Sequence, residues 1–225
     1  MTTDWLSYAP LLLHAAGTTL WLSWLAMLLG AAAGFGVALA RVSPWRPLRI
    51  LALAYTEFWR SIPILIVMFF AYFGLPLFLG QDLPPFAAAT IALALHASAS
   101  MSEVIRAGIE SVGQGQWEAA RAFGFRYARI MQLVVLPQAV RVIVPPSVGV
   151  FITVLKESTL ASIIGYIELT KTGLLIREST DGGFVPLLAL AVIYFVINYA
   201  ISLGGRWLEL RFDGGRHPAP AAAMA

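Results

Sequence analysis

The sequence predicts an all-α, multi-pass membrane protein: five transmembrane helices with short connections and one separate polar helix on the cytoplasmic side. Three observations lead there. Of 225 residues, 59% are hydrophobic and 12% charged, whereas soluble domains carry about one quarter charged residues. Mean hydropathy is +0.79, and apolar runs of the roughly 20 residues needed to cross a bilayer recur along the chain. One stretch, residues 116–137 (QWEAARAFGFRYARIMQLVVLP), breaks this pattern by gathering Glu118, Arg121, Arg126 and Arg129 within a few turns.

Trp5, Tyr8 and Pro10 open the chain with residues suited to the bilayer interface. Asp4 and the absence of Lys or Arg in residues 1–10 argue against a basic leader region. A first span is expected over residues 11–40, where Gly30, Gly34 and Gly36 form a small-residue strip for close helix packing. Arg41, Pro44, Arg46, Pro47 and Arg49 then make a basic turn. The second span, residues 48–79, is longer than a membrane requires and is interrupted by Glu57, Arg60 and Pro63. Pro63 removes a backbone donor and leaves the Trp59 carbonyl in need of another partner. Residues 86–108 form a third span carrying His96, Glu103 and Arg106.

A polar helix is expected over residues 116–130. Gly124, six residues after Glu118, lets another backbone come close or the helix bend. The fourth span covers residues 131–164, with a break expected at Pro145, Pro146 and Gly149, then Lys156, Glu157, Ser158 and Thr159. Residues 165–184 carry mixed charges: Glu168, Lys171, Arg177, Glu178 and Asp181. A fifth span over residues 184–203 leads to a tail, residues 211–225, expected to be disordered. Residues 1–210 thus read as one transmembrane domain.

Basic residues set the orientation. The arginines of the first turn, of the central helix and of the tail (Arg206, Arg211, Arg216) share one side when five spans alternate. The opposite side holds Lys171 and Arg177. The positive-inside bias places the N-terminus outside and the C-terminus in the cytoplasm. A pI near 9.4 therefore marks membrane flanks and not a nucleic-acid surface.

No phosphate-binding loop is present, and no cysteine. The three histidines, His14, His96 and His217, lack metal-ligand spacing, and His96 reads as a packed helix residue. Ionisable groups within spans are the informative set, since each costs roughly 2.5–3.5 kcal/mol to insert. Glu57 and Arg60 sit three apart, either as a self-neutralising pair or as pathway lining. Glu103 and Arg106 repeat that spacing near the cytoplasmic end, where Arg106 can reach water. Adjacent Lys156 and Glu157 point about 100° apart, so they neutralise each other poorly and make the best pathway candidates. Five spans with no internal duplication form only half of a transporter built at the interface of two related parts.

Several motifs carry a resemblance. Glu118-Ala119-Ala120, Gly124 and Leu136-Pro137 resemble the EAA loop of ABC importer permeases, with Val134 where that family has Ile. The stretches at 17–23 (GTTLWLS), 57–63 (EFWRSIP), 69–76 (FFAYFGLP), 102–109 (SEVIRAGI), 136–139 (LPQA) and 155–160 (LKESTL) resemble the polar amino acid uptake branch of those permeases. The resemblance covers residues 17–205. Two positions depart from it: Ser100 where the family usually has Tyr, and Gly149 where it usually has Asn. If these touch the solute, the chain binds an unusual substrate or leaves binding to its partner.

The resemblance implies the type I ABC importer permease fold. It also implies a second permease chain, identical or homologous, two cytoplasmic ATPase subunits that use ATP and Mg, and an extracytoplasmic solute-binding protein. The chain itself would be non-catalytic and hold no cofactor. ATPase coupling would fall to Glu118, Ala119, Ala120, Gly124, Leu136 and Pro137. The substrate pathway would draw on Glu57, Arg60, Pro63, Ser100, Glu103, Gly149, Lys156, Glu157, Ser158 and Thr159. The rival readings are a self-contained channel or proton-coupled carrier, and a membrane anchor for a cytoplasmic partner.

Overall fold

The computed structural model describes residues 5–180 and 183–212. Asp181, Arg216, His217 and most of the expected tail lie outside the described residues. Helix α1 runs from Ala9 to Arg41, with a proline in its first turn, where a missing N–H costs nothing. It packs along α5 (Pro85–Glu110) through glycine. A methyl group on Gly30 would lie 2.5 Å from Ala97 Cβ, and one on Gly34 would lie 2.6 Å from the Ser98 carbonyl oxygen. Gly36 faces open space, so the contact uses two of the three glycines in the strip.

The second apolar stretch divides at Pro63. Helix α2 (Arg46–Ser61) stops because Ile62, preceding proline, is driven to extended backbone at φ −90°, ψ 130°. The chain then bends by 98° into the segment Ile64–Leu79. That segment comprises α3 (Ile64–Phe69), a π turn (Phe70–Gly74) and α4 (Leu75–Leu79). Leu75 N–H donates to the Phe70 carbonyl, and the wider turn accommodates the ring of Pro76, which would crowd the carbonyl four residues back. The same device recurs later. A π turn over Met131–Val135 precedes Leu136 and Pro137.

Beyond α5 the expected polar helix is two pieces. Helix α6 covers Gln114–Ala122 and α7 covers Tyr127–Ile130, because the chain turns through Gly124 at φ +77°. Helix α8 (Leu136–Glu157) then corrects the expected break, since it continues through Pro145, Pro146 and Gly149. The two prolines take the intrahelical donors from the Arg141 and Val142 carbonyls, while the Ser147 hydroxyl donates to the next carbonyl, that of Ile143, at 2.8 Å. Regular α-helix ends later, at a 3-10 turn over Ser158–Ser162. Helix α9 (Leu169–Thr180) follows, then α10 (Val185–Phe212), which runs past residue 203 and includes Arg211 and Phe212 of the expected tail.

Among the described residues, four helices are long and apolar enough to cross a membrane, and the bent segment from α2 to α4 makes a fifth span if counted as one. Among the described residues there is no strand. Three apolar clusters hold the helices together. One joins α1, α3, α5 and α8 around Leu22, Met68, Leu93 and Val154. A second, around Ile105, Ile109, Ala120, Ile130 and Val135, seats α6 against the membrane helices. The third sets Ala15 and Ala16 of α1 against Leu169 and Leu190. In α10 only Pro186 and Leu190 are buried.

Candidate functional site

Helix α6 is held by its ends and by one apolar contact. Ala120 is buried, while Glu118 and Ala119 are exposed. Gly124 N–H donates to the Arg121 carbonyl at 2.8 Å and Phe125 N–H to the Ala120 carbonyl at 3.2 Å. This paired capping pattern requires a left-handed residue between the two turns. Gly124 is therefore demanded by the backbone. A methyl group there meets nothing within 4 Å, so its surroundings in this chain are open. Trp117 stacks on Tyr127 at 5.8 Å between ring centres, and the Tyr127 hydroxyl donates to the Val42 carbonyl at 3.3 Å. A cavity of about 670 Å³ beside α6 is lined by Arg49, Glu110, Trp117, Glu118 and Arg121. Leu136 is half-buried and Pro137 exposed, one π turn beyond α7.

The expected pathway residues separate into groups. Glu57 is exposed on α2 and, among the described residues, does not pair with Arg60. Arg60 instead approaches Glu103 at 3.7 Å. A partner from another helix replaces the local one because Glu103 is a hub: Arg41 NH1 donates to Oε1 at 2.6 Å, and Arg106 donates to Oε2 from Nε at 3.0 Å and NH2 at 2.7 Å. Arg106 also bridges to Glu110, so it is not left to water alone. Glu103 thus ties α1, α2 and α5 together. Hydroxyl pairs extend that seam, Tyr55 to Ser98 at 2.7 Å and Thr56 to Ser102 at 3.0 Å. Ser100 is half-buried, two residues from Ser98 and Ser102 and so on the other side of α5, and Pro63 occupies the N-cap position of α3.

Lys156 and Glu157 diverge, as adjacent helical residues must. Lys156 is exposed and lines a hollow of about 330 Å³ with Tyr194, Phe195 and Asn198. Glu157 turns inward, 3.4 Å from His96 Nε2. Glu157 Oε2 and His96 Nδ1 are buried without hydrogen-bond partners, and the Trp59 backbone lies beside the imidazole. Ser158 and Thr159 spend their hydroxyls on the carbonyls of Leu155 and Lys156. Gly149 faces open space.

Sequence reasoning placed Glu168 in a polar connection, yet its side chain is wholly buried. Its carboxylate caps α9, accepting from Thr170 N–H at 3.0 Å and Lys171 N–H at 2.8 Å. Thr19 of α1 and Tyr194 of α10 donate hydroxyls to the same Oε2, at 3.3 and 3.0 Å. Burial pushes the Glu168 carboxyl above the ordinary range, against the pull of those four donors.

Broken helices with π turns, polar groups inside the spans and a short amphipathic helix outside them define a membrane permease class. A family model described as binding-protein-dependent transport system inner membrane component matches residues 26–214, and the chain belongs to that family. It is 39% identical over 180 residues to the probable glutamine ABC transporter permease protein GlnM of Bacillus subtilis, covering 80% of this chain and 83% of that one. It is 34% identical over 200 residues to the arginine transport system permease protein ArtQ of the same organism, covering 89% and 91%. A crystal structure of an amino acid ABC transporter with histidines aligns at TM-score 0.85 and 39% identity, over 94% of this chain and 100% of that one. The inward-facing MetNI methionine ABC transporter, at 20% identity and TM-score 0.81 over 94% and 99% of the two chains, shares the fold.

Proposed function

We propose that this chain is the translocating subunit of an ATP-driven importer for a polar amino acid, and that α6 is where a separate ATPase docks. The observation that carries the reading is α6 itself. It is a nine-residue helix whose Glu118 and Ala119 are exposed while Ala120 packs into the apolar cluster beside the Met131–Val135 π turn. The amino-acid class is supported by the glutamine and arginine permeases among its relatives. ATP and Mg would belong to the ATPase. A second permease chain would complete the pathway, and an extracytoplasmic binding protein would deliver the solute.

In this reading the N-terminus lies outside and α6 in the cytoplasm, as the arginine distribution favours. Leu136 and Pro137 shape the π turn that carries motion from α7 into α8. Glu57, Arg60 and the Lys156/Glu157 pair supply polar groups to the solute's route. Closure of the ATPases would push on α6 and rock the spans between outward- and inward-facing arrangements.

Two variants at Gly124 test the docking role in the complex reconstituted with its ATPase. Gly124→Ala bears the left-handed backbone cost of about 1–2 kcal/mol, and Gly124→Arg adds bulk where a partner must approach. Uptake driven by ATP is expected to survive in the first and disappear in the second, with both proteins present in the membrane. Normal uptake by Gly124→Arg refutes docking at this surface.

A further inference from the structure

Between α8 and α10 lies an open groove of about 530 Å³, lined by Val144, Val148, Phe151, Gly204, Trp207 and Leu208. Gly205 sets the helix approach, since a methyl group there would lie 2.9 Å from Val148. Its neighbour Gly204 leaves the floor open, with nothing within 4 Å of the position a methyl would take. Ser147 also borders the groove, but its hydroxyl is committed to the Ile143 carbonyl. The walls therefore offer mainly dispersion contacts, with the Trp207 indole as the one polar group not committed elsewhere among those named.

One end of this groove is basic on both sides. Arg141 lies seven residues before Val148, and Arg211 seven residues after Gly204. Seven residues are about two helical turns, so each arginine lies on the groove side of its helix. The contact between Val148 and Gly205, with the helices antiparallel, brings the two arginines to the same level. The Arg211 guanidinium sits 5.1 Å over the ring of Trp207, an indole of the kind that settles at the headgroup boundary. Glu209, five residues beyond Gly204, points about 140° away round the helix.

We propose that this groove binds an anionic phospholipid, with an acyl chain along Val144, Val148, Phe151 and Gly204 and the phosphate held between Arg141 and Arg211. An apolar helix of a second chain would fill the groove yet leave two guanidiniums unmatched, and a zwitterionic lipid offers the tail without the net charge. The inference needs only a membrane-spanning chain, so it stands or falls apart from the identity of the solute.

The test uses the full-length protein in nanodiscs of phosphatidylethanolamine with and without phosphatidylglycerol, followed by native mass spectrometry of retained lipid. Wild type is expected to keep phosphatidylglycerol in preference to phosphatidylethanolamine. Arg141→Gln with Arg211→Gln should weaken that preference about twenty-five-fold, fivefold for each cation lost near the surface. Gly204→Leu, which fills the floor and keeps both arginines, should lose retention as well. Equal retention of the two lipids by wild type overturns the site, as does an unchanged preference in the double arginine variant. Cysteine crosslinks from position 204 or 208 to a second copy would likewise overturn it, by showing that protein and not lipid occupies the groove.

Discussion

Replacing Glu168 with alanine removes the acceptor at which α1, α9 and α10 meet, and the cost can be worked from its four partners. The two hydroxyls have alternatives. Thr19 also donates to the Ala15 carbonyl at 3.1 Å, and Tyr194 lies 2.9 Å from the Thr170 hydroxyl. The backbone amides of Thr170 and Lys171 have none, because they occupy the first turn of α9, where no intrahelical acceptor exists. Two amides left unsatisfied at about 1–3 kcal/mol each give a loss of about 2–6 kcal/mol. Glu168→Gln keeps one carbonyl oxygen and should cost about half as much. The assay is chemical unfolding of the purified protein in mixed micelles, with amide exchange to locate the change. Protection should fall in α9 and remain in α5. Acidity supplies a second signature: a carboxyl raised in the folded state contributes fully below its ordinary value of 4.5 and loses that contribution as pH rises through the folded value. Glu168→Gln should lack this slope. An alanine variant that unfolds with the wild-type midpoint, with α9 amides still protected, would refute the capping role.

The α1–α5 seam should be intolerant of single methyl groups. Gly30→Ala and Gly34→Ala each force a shift against backbone or Cβ atoms and should cost about 1–3 kcal/mol, whereas Gly36→Ala should be neutral in the same unfolding assay. Glu103→Gln leaves Arg41, whose side chain is 8% exposed, beside Arg106 without a carboxylate, for a loss of about 3 kcal/mol. Arg60→Gln, removing the long contact of a half-exposed side chain, should cost below about 1 kcal/mol; equal losses for the two variants would show that Glu103 is not the hub.

Much of this was legible in the chain because membranes simplify the code. Apolar runs marked the spans, and Gly30 and Gly34, one turn apart, marked the α1 face that meets α5. Pro63 marked the break in the second stretch, where Ile62 before it takes extended backbone. Pro145 and Pro146 did not act as Pro63 does: α8 runs through both, so a proline pair alone does not mark a break. The spacing of Glu57 and Arg60 suggested a local pair, but local spacing says nothing of an acceptor 43 residues further on at Glu103. Glu168 was hidden for the same reason. Its donors Thr19 and Tyr194 lie far off in sequence, and a glutamate in a charged connection carries no mark of burial.

The distribution of constraint bears on how force could cross the chain. Glycine contacts and the Glu103 hub make α1 and α5 a rigid pair, and the hydroxyl seam fastens α2 to it. Ala120 of α6 packs into the cluster of Ile105, Ile109, Ile130 and Val135, so displacement of α6 is felt at once by the end of α5 and the start of α8. From there α8 is uninterrupted to Glu157, a helix of 22 residues or about 33 Å at 1.5 Å per residue. A tilt at the α6 end therefore becomes a displacement at the Glu157–His96 contact, where two polar atoms are buried without partners. Helix α10 is coupled to the same rod, since its Gly205 lies against Val148. In the importer reading, the same rigid rod that receives the push presents its far end where the solute's charges would be met.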